Sequence, residues 1–138
     1  MCGRVAIVGA SVRAAAFSTL REGLLPVGID LFADWDLVRR VTAIRVSEYP
    51  DGFAAALAGQ DVEGWFYTGG LENHPELVDR MAAFRPLWGN AGATLRAVRD
   101  PFQCARAWNE VGVACPALTR SPQRISADGS WLEKPLHG

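Results

Sequence analysis

The chain has 138 residues, 49% of them hydrophobic and 21% charged, which is enough for one sizeable core and excludes a disordered tail. Lys plus Arg number 14 against 15 Asp plus Glu, a formal net charge of -1, so the positive footprint of phosphate-backbone binding is missing and no nucleic-acid partner is expected. No apolar run approaches the roughly 20 residues that span a bilayer, and the N-terminus enters a strand-like segment without a signal-peptide pattern, so no membrane association and a cytoplasmic location are expected.

Arg4–Ala10 (RVAIVGA) is a short, β-branched apolar run that predicts a strand buried on both faces. Ser11 is placed to cap a following helix in which Val12, Ala15, Ala16, Thr19 and Leu20 recur at helical spacing until Gly23. Leu25–Phe32 predicts a second strand, Asp34–Arg40 a short helix and Val41–Val46 a third strand. A helix through Phe53–Leu57 is opened by Asp51 and closed near Gly59. Gly64–Thr68 (GWFYT) is the fourth strand. Glu72–Arg85 then carries Leu77, Val78, Met81, Ala82 and Phe84 on one helical face, with Pro75 near its start, and Pro86–Asn90 predicts a brief fifth strand.

Strands alternating with helices at this spacing imply βαβ units, so residues 1–90 are expected to form an α/β domain with a Rossmann-like parallel sheet and right-handed crossovers. In residues 91–138 the pattern changes. Asp100 with Pro101 opens a helix whose apolar stripe is Phe102, Ala105, Trp108 and Val111, and Gly112 ends it. Val113–Leu118 leaves that helix through Cys115-Pro116, the polar stretch Ser121–Gly129 is linker-like, and Ser130–Leu136 predicts a last strand. One helix and one or two strands do not close a domain. The five tryptophans follow no period and are expected in the core or at interfaces. Cys2, Cys104 and Cys115 form no CxxC and have no histidine at ligand spacing, so buried free thiols are expected, with no disulfide framework and no metal site.

Open parallel sheets bind ligands beyond the carboxyl ends of their strands, where the strand order reverses. The first strand ends in Gly9-Ala10-Ser11-Val12-Arg13, a glycine turn before a helix with an arginine able to clamp an anion; the same residues also suffice for a plain turn and cap. The fourth ends in Thr68-Gly69-Gly70-Leu71-Glu72-Asn73-His74, the densest polar cluster of the chain. Its glycines admit a ligand to the backbone, and Glu72 and Asn73 offer hydrogen bonds, although Asn73 also suits a helix cap and Glu72 a solvated surface. Asn90 lies at the fifth strand's tip. Asp30 stands where an acidic ribose ligand would lie, but the fingerprint G-x-G-x-x-G is absent, because position 11 is serine and position 14 alanine; a NAD-type site is disfavoured. His74 has no second ligand nearby for a metal. Lys134 is the single lysine.

From Asp100 onward the chain resembles the start of an ATP-grasp module. There a helix opening at an Asp-Lys pair ends in Gly-Val/Ile-Pro-x-Pro and leads to a strand carrying an ATP-binding lysine. Here the helix opens at Asp100-Pro101, ends Gly112-Val113-Ala114-Cys115-Pro116, and is followed by Trp131-Leu132-Glu133-Lys134-Pro135. The preceding 90 residues look like the pre-ATP-grasp domain. The phrases GASVRAAA, YTGGLENHP and LWGN resemble a bacterial group of ATP-grasp proteins distantly similar to biotin carboxylase and carbamoyl-phosphate synthetase.

The resemblance implies an ATP-dependent carboxylate ligase that forms an acyl phosphate for attack by an amine or another nucleophile. It implies that Lys134 contacts an ATP phosphate. A pre-ATP-grasp domain usually helps to hold the second substrate, so the strand-tip residues Gly9, Ser11, Arg13, Thr68, Gly69, Gly70, Glu72, Asn73 and Asn90 are expected to hold a small carboxylate or other anionic metabolite. The lysine expected beside Asp100 is replaced by Pro101, leaving Arg99 or Arg106 to stand in for it. The family's glycine loop, adenine hinge and Mg²⁺-holding carboxylates come after the position matching Gly138. The expectation is therefore an N-terminal ligase portion, from a truncated frame or a deliberately shortened chain, that is inactive alone. ATP and Mg²⁺ belong to the full-length parent and neither is expected to bind this chain tightly. A homodimer stays open. The alternative is a free-standing Rossmann-like module that binds a small anionic metabolite without catalysis.

Overall fold

A computed structural model describes residues 3–121, 123 and 125–135. Residues through Ala93 make one compact unit and residues from Thr94 another.

The first unit is an α/β layer. Four strands, β1 (Arg4–Gly9), β2 (Leu25–Asp30), β3 (Thr42–Arg45) and β4 (Gly64–Tyr67), pair in parallel in the order β3-β2-β1-β4. Parallel neighbours need crossovers, and the helices supply them: α1 (Arg13–Arg21), the short α2 (Trp35–Val38) and α3 (Gly52–Ala58). α4 (Pro75–Ala82) follows β4 and packs against α3. β1 is central, and Val5 to Val8 are fully buried, as a continuous apolar run requires of a strand covered on both faces. Ile7, Val12, Ala16 and Leu37 form one core cluster, with Phe17, Val41 and Phe66 packed against it. α3 packs against β1 and β2 with Phe53 and Leu57 buried.

Several expected elements differ in detail. The helix expected over Glu72–Arg85 is two pieces, a 3₁₀ turn over Leu71–Asn73 and then α4, because the chain is redirected at His74 before Pro75, whose ring disfavours helical backbone in the preceding residue. The strand expected over Pro86–Asn90 is reduced to a single parallel bridge between Trp65 and Leu87, bounded by Trp65 N–H donating to the Pro86 carbonyl (2.9 Å) and Trp88 N–H donating to the Trp65 carbonyl (2.7 Å). Trp65 is buried, its indole N–H donating to the Arg85 carbonyl at 3.1 Å, whereas Trp35, Trp88, Trp108 and Trp131 are exposed. Trp88 lies over Gly64, where a side chain would collide with the indole.

The second unit contains most of α5 (Gly92–Arg99), a helix not anticipated, and α6 (Pro101–Glu110). α6 opens as expected: the Asp100 carboxylate accepts the backbone N–H groups of Phe102 and Gln103. Its apolar stripe is not buried. After α6 the chain has no regular strand over Val113–Leu118, nor over residues 130–135 of the expected last strand, whose Leu136 lies outside the described residues. Cys104 and Cys115 are free but only partly buried, and Cys2 lies outside the described residues. Among the described residues no helix is long and apolar enough to cross a membrane.

Candidate functional site

The strand order reverses between β1 and β4, so the polar tips of these two strands face the same end of the sheet, where doubly wound sheets hold ligands. Close approach joins them. A side chain at Gly9 would overlap the Thr68 hydroxyl, which instead donates to the Ser11 carbonyl at 3.1 Å, while the Ala10 N–H donates to the Gly69 carbonyl at 3.0 Å. Gly9, Ser11, Thr68 and Gly69 are therefore brought together.

Beyond them the chain turns through Gly70, whose φ of +107° suits glycine. Both polar groups of Gly70 are held. Its N–H donates to the Glu72 carboxylate at 2.6 Å, and its carbonyl accepts the Tyr49 hydroxyl at 2.9 Å. His74 Nε2 lies 3.1 Å from the same hydroxyl, and the two rings meet edge to face at 5.3 Å. Tyr49 has one hydroxyl proton, and with that proton on the Gly70 carbonyl, His74 Nε2 carries a hydrogen and donates. The Tyr49 ring in turn rests edge-on against buried Phe53 at 5.9 Å. Sequence reasoning weighed His74 only as a metal ligand and passed over Tyr49. No local signal links the two, since they meet only because the crossover after β3 brings Tyr49 across to the β4 tip.

Tyr67, at the end of β4, donates to the Asn90 carbonyl at 2.7 Å, which brings Asn90 to the same end of the sheet. Burial, and next the charge of Glu72, push the Tyr67 phenol above its ordinary value of 10.0. Asn73 is half-buried in the 3₁₀ turn; α4 is preceded by His74, and no side-chain cap closes it.

The helix side of the site is organised by a residue read differently from sequence. Asp30 is 2% exposed and its carboxylate accepts three backbone N–H groups, those of Val12, Phe32 and Ala33, each at 2.7 Å. Asp30 thus holds the start of α1 and the turn after β2. Ser11 does not cap α1: Val12 occupies the cap position without a side-chain bond. Arg13 leans toward α2, with its guanidinium 3.4 Å from Asp36 and 3.8 Å from Asp34, and stays half exposed. In the second unit Lys134 is exposed and lies outside any strand. Among the described residues no group of three or more His, Cys, Asp or Glu side chains could hold a metal ion.

No family model and no curated protein sequence matches the chain. Among solved structures, N5-carboxyaminoimidazole ribonucleotide synthetase from Thermotoga maritima is similar over 88% of this chain with a TM-score of 0.59 and 10% sequence identity. The chain spans 34% of that protein's length. That ligase belongs to the ATP-grasp family, and what it shares with this chain is the fold, a parallel sheet layered with helices. The chain has the α/β fold of the N-terminal region of an ATP-grasp ligase.

Proposed function

We propose that this chain is the N-terminal portion of an ATP-grasp carboxylate ligase, contributing part of the second-substrate site at the β1 and β4 tips and, through Lys134, one cation for an ATP phosphate. The observation that carries the reading is the junction of Gly9, Ser11 and Thr68 with the Gly70 turn at the point where the strand order reverses. The ligand is a small carboxylate or another anionic metabolite. Arg13 supplies its cation: a half-exposed pair with Asp34 and Asp36 is worth only about 0–1 kcal/mol, so a multivalent anion can draw the guanidinium away. Apart from Lys134, the groups that hold ATP and Mg²⁺ in the parent enzyme belong to parts other than these 138 residues.

The test is an NMR titration of the chain with small dicarboxylates and phosphate esters. Saturable shifts at the amides of Ser11, Gly69, Gly70 and Glu72, lost in Arg13→Ala and in Gly70→Val, are expected. Shifts elsewhere would move the site. A second reading, a free-standing module that binds the same metabolite without catalysis, is favoured by the compactness of the unit through Ala93, which carries its own sheet and core. The nucleotides after the Gly138 codon separate the two, since an open frame continuing into the remaining ATP-grasp elements supports the ligase and an immediate stop supports the module.

A further inference from the structure

We propose that Cys104 and Cys115 form a redox-active dithiol site that closes to an intrachain disulfide. The two thiols lie on different elements but line one groove of about 240 Å³ in the second unit, together with Val98, Arg99, Ala105 and Trp108. Both are free and partly exposed.

The path of the chain explains why both line one groove. From Cys104 the helix α6 advances to Glu110, six residues at about 1.5 Å each, or about 9 Å. It then reverses at Gly112, where φ is +77°, and the Val113 N–H donates back to the Trp108 carbonyl at 2.8 Å. Three residues of irregular chain then lead back to Cys115, which lines the same groove as Cys104. The return continues beyond it, since the Arg120 guanidinium lies 4.1 Å over the Phe102 ring and 3.8 Å from Asp100 at the opposite end of α6. The segment after Gly112 is thus a strap running antiparallel to the helix. The Cys104 thiol faces the Val98 carbonyl at 3.3 Å, and the Cys115 thiol faces the Pro116 carbonyl at 3.4 Å, both weak contacts that a rotation of the thiol breaks at small cost.

The oxidant is a peroxide. One thiol gives up its proton and its sulfur attacks a peroxide oxygen, the O–O bond breaks, and the departing hydroxide takes that proton, leaving a sulfenic acid and water. The second thiol gives up its proton and attacks that sulfur, the S–S bond forms as the S–O bond breaks, and the expelled hydroxide takes the second proton, so that two thiols and one hydrogen peroxide become one disulfide and two waters. The product pins the strap to α6 and closes the groove.

Trypsin cleavage at Arg99, Arg106 and Arg120 places Cys104 on peptide 100–106, Cys115 on peptide 107–120 and Cys2 on peptide 1–4. The 138-residue chain, treated with stoichiometric hydrogen peroxide, alkylated, isolated as monomer and digested, is expected to yield peptides 100–106 and 107–120 joined, two hydrogen masses below their sum. The joined pair should survive Cys2→Ser, disappear in Cys104→Ser and Cys115→Ser, and return to separate peptides on reduction. Alkylation of both thiols after peroxide, a link to peptide 1–4 instead, or oxidation only to intermolecular dimers would overturn the proposal. The wild-type digest decides the matter even if a serine variant does not fold.

Discussion

The hydroxyl of Thr68 occupies the space that any side chain at position 9 would need, so the β1 tip and the β4 tip are fitted to each other at the atomic level. Gly9→Ala must displace that hydroxyl and is expected to cost about 1–3 kcal/mol, as overpacking does. Thr68→Ala removes the obstacle, and the double variant should recover a good part of the loss. Urea denaturation of the four proteins measures the coupling; strict additivity would show that the two positions do not share this space.

Asp30 is the hub of the β2 end, holding three backbone N–H groups with one buried carboxylate. Asp30→Ala strands these donors, and about 2–4 kcal/mol should be lost, given that single hydrogen bonds to charged groups contribute about 1.5–3 kcal/mol. Asp30→Asn should fall between, because its oxygen still accepts but its amide meets one N–H as a donor. The order wild type, Asn, Ala in thermal midpoint is the expected result.

The second unit has a pH signature at the start of α6. The Phe102 N–H bond, then that from Gln103 and the nearby Arg120 charge, hold the Asp100 carboxyl below its ordinary value of 3.8. A carboxylate with a lowered folded-state pKa stabilises the fold above the unfolded value, and that contribution is lost as pH falls from 3.8 through the lowered one. Circular dichroism should show the helical signal of wild type falling below that of Asp100→Asn in this window, since asparagine caps without titrating.

Tyr67 gives a signature at the other extreme. Its phenol is raised above 10.0 by burial first and by Glu72 second, so stability is retained below the unfolded value of 10.0 and declines as pH rises through the folded one. The chain has two tyrosines, so Tyr49→Phe isolates Tyr67 for absorbance titration. Adding Glu72→Gln, which keeps an acceptor for the Gly70 N–H, should lower the midpoint while leaving it above 10.0.

Lys134 is exposed and unsupported by a strand. A lone ammonium in water gains about 1 kcal/mol at contact with a phosphate, whereas micromolar affinity needs about 8 kcal/mol. Calorimetry on the 138-residue polypeptide should therefore give at best millimolar ATP affinity, weakened by no more than about fivefold in Lys134→Ala.

What could be read from sequence follows the range of the interactions involved. β1 was legible because its buried apolar run is a local pattern, and α6 because Asp100 and Pro101 are neighbours of the helix they start. α5 was not, because its first N–H, on Gly92, is held by Asp79 at 2.8 Å, thirteen residues away and on α4. The Ser11 cap failed for the same reason, since Asp30, eighteen residues on, holds the Val12 N–H. The strand expected at 130–136 is a β-propensity pattern in a stretch whose described residues make no ladder. Of the candidate site, the two glycine-rich tips are legible in the sequence, whereas Tyr49, which donates to the Gly70 carbonyl, and its neighbour His74 are brought together only by the completed crossover.

The central place of β1 also sets an order of assembly. β1 obtains β2 as a neighbour within some twenty residues, whereas its other edge waits for Gly64–Tyr67, which pairs with Val5–Val8 across nearly sixty. Contacts between segments so far apart close slowly, and an unpaired apolar strand edge is the part of a nascent chain most open to misassociation. As the chain emerges from the ribosome, the β1-β2-β3 half is available first, and the edge of β1 that receives β4 is the last to be covered.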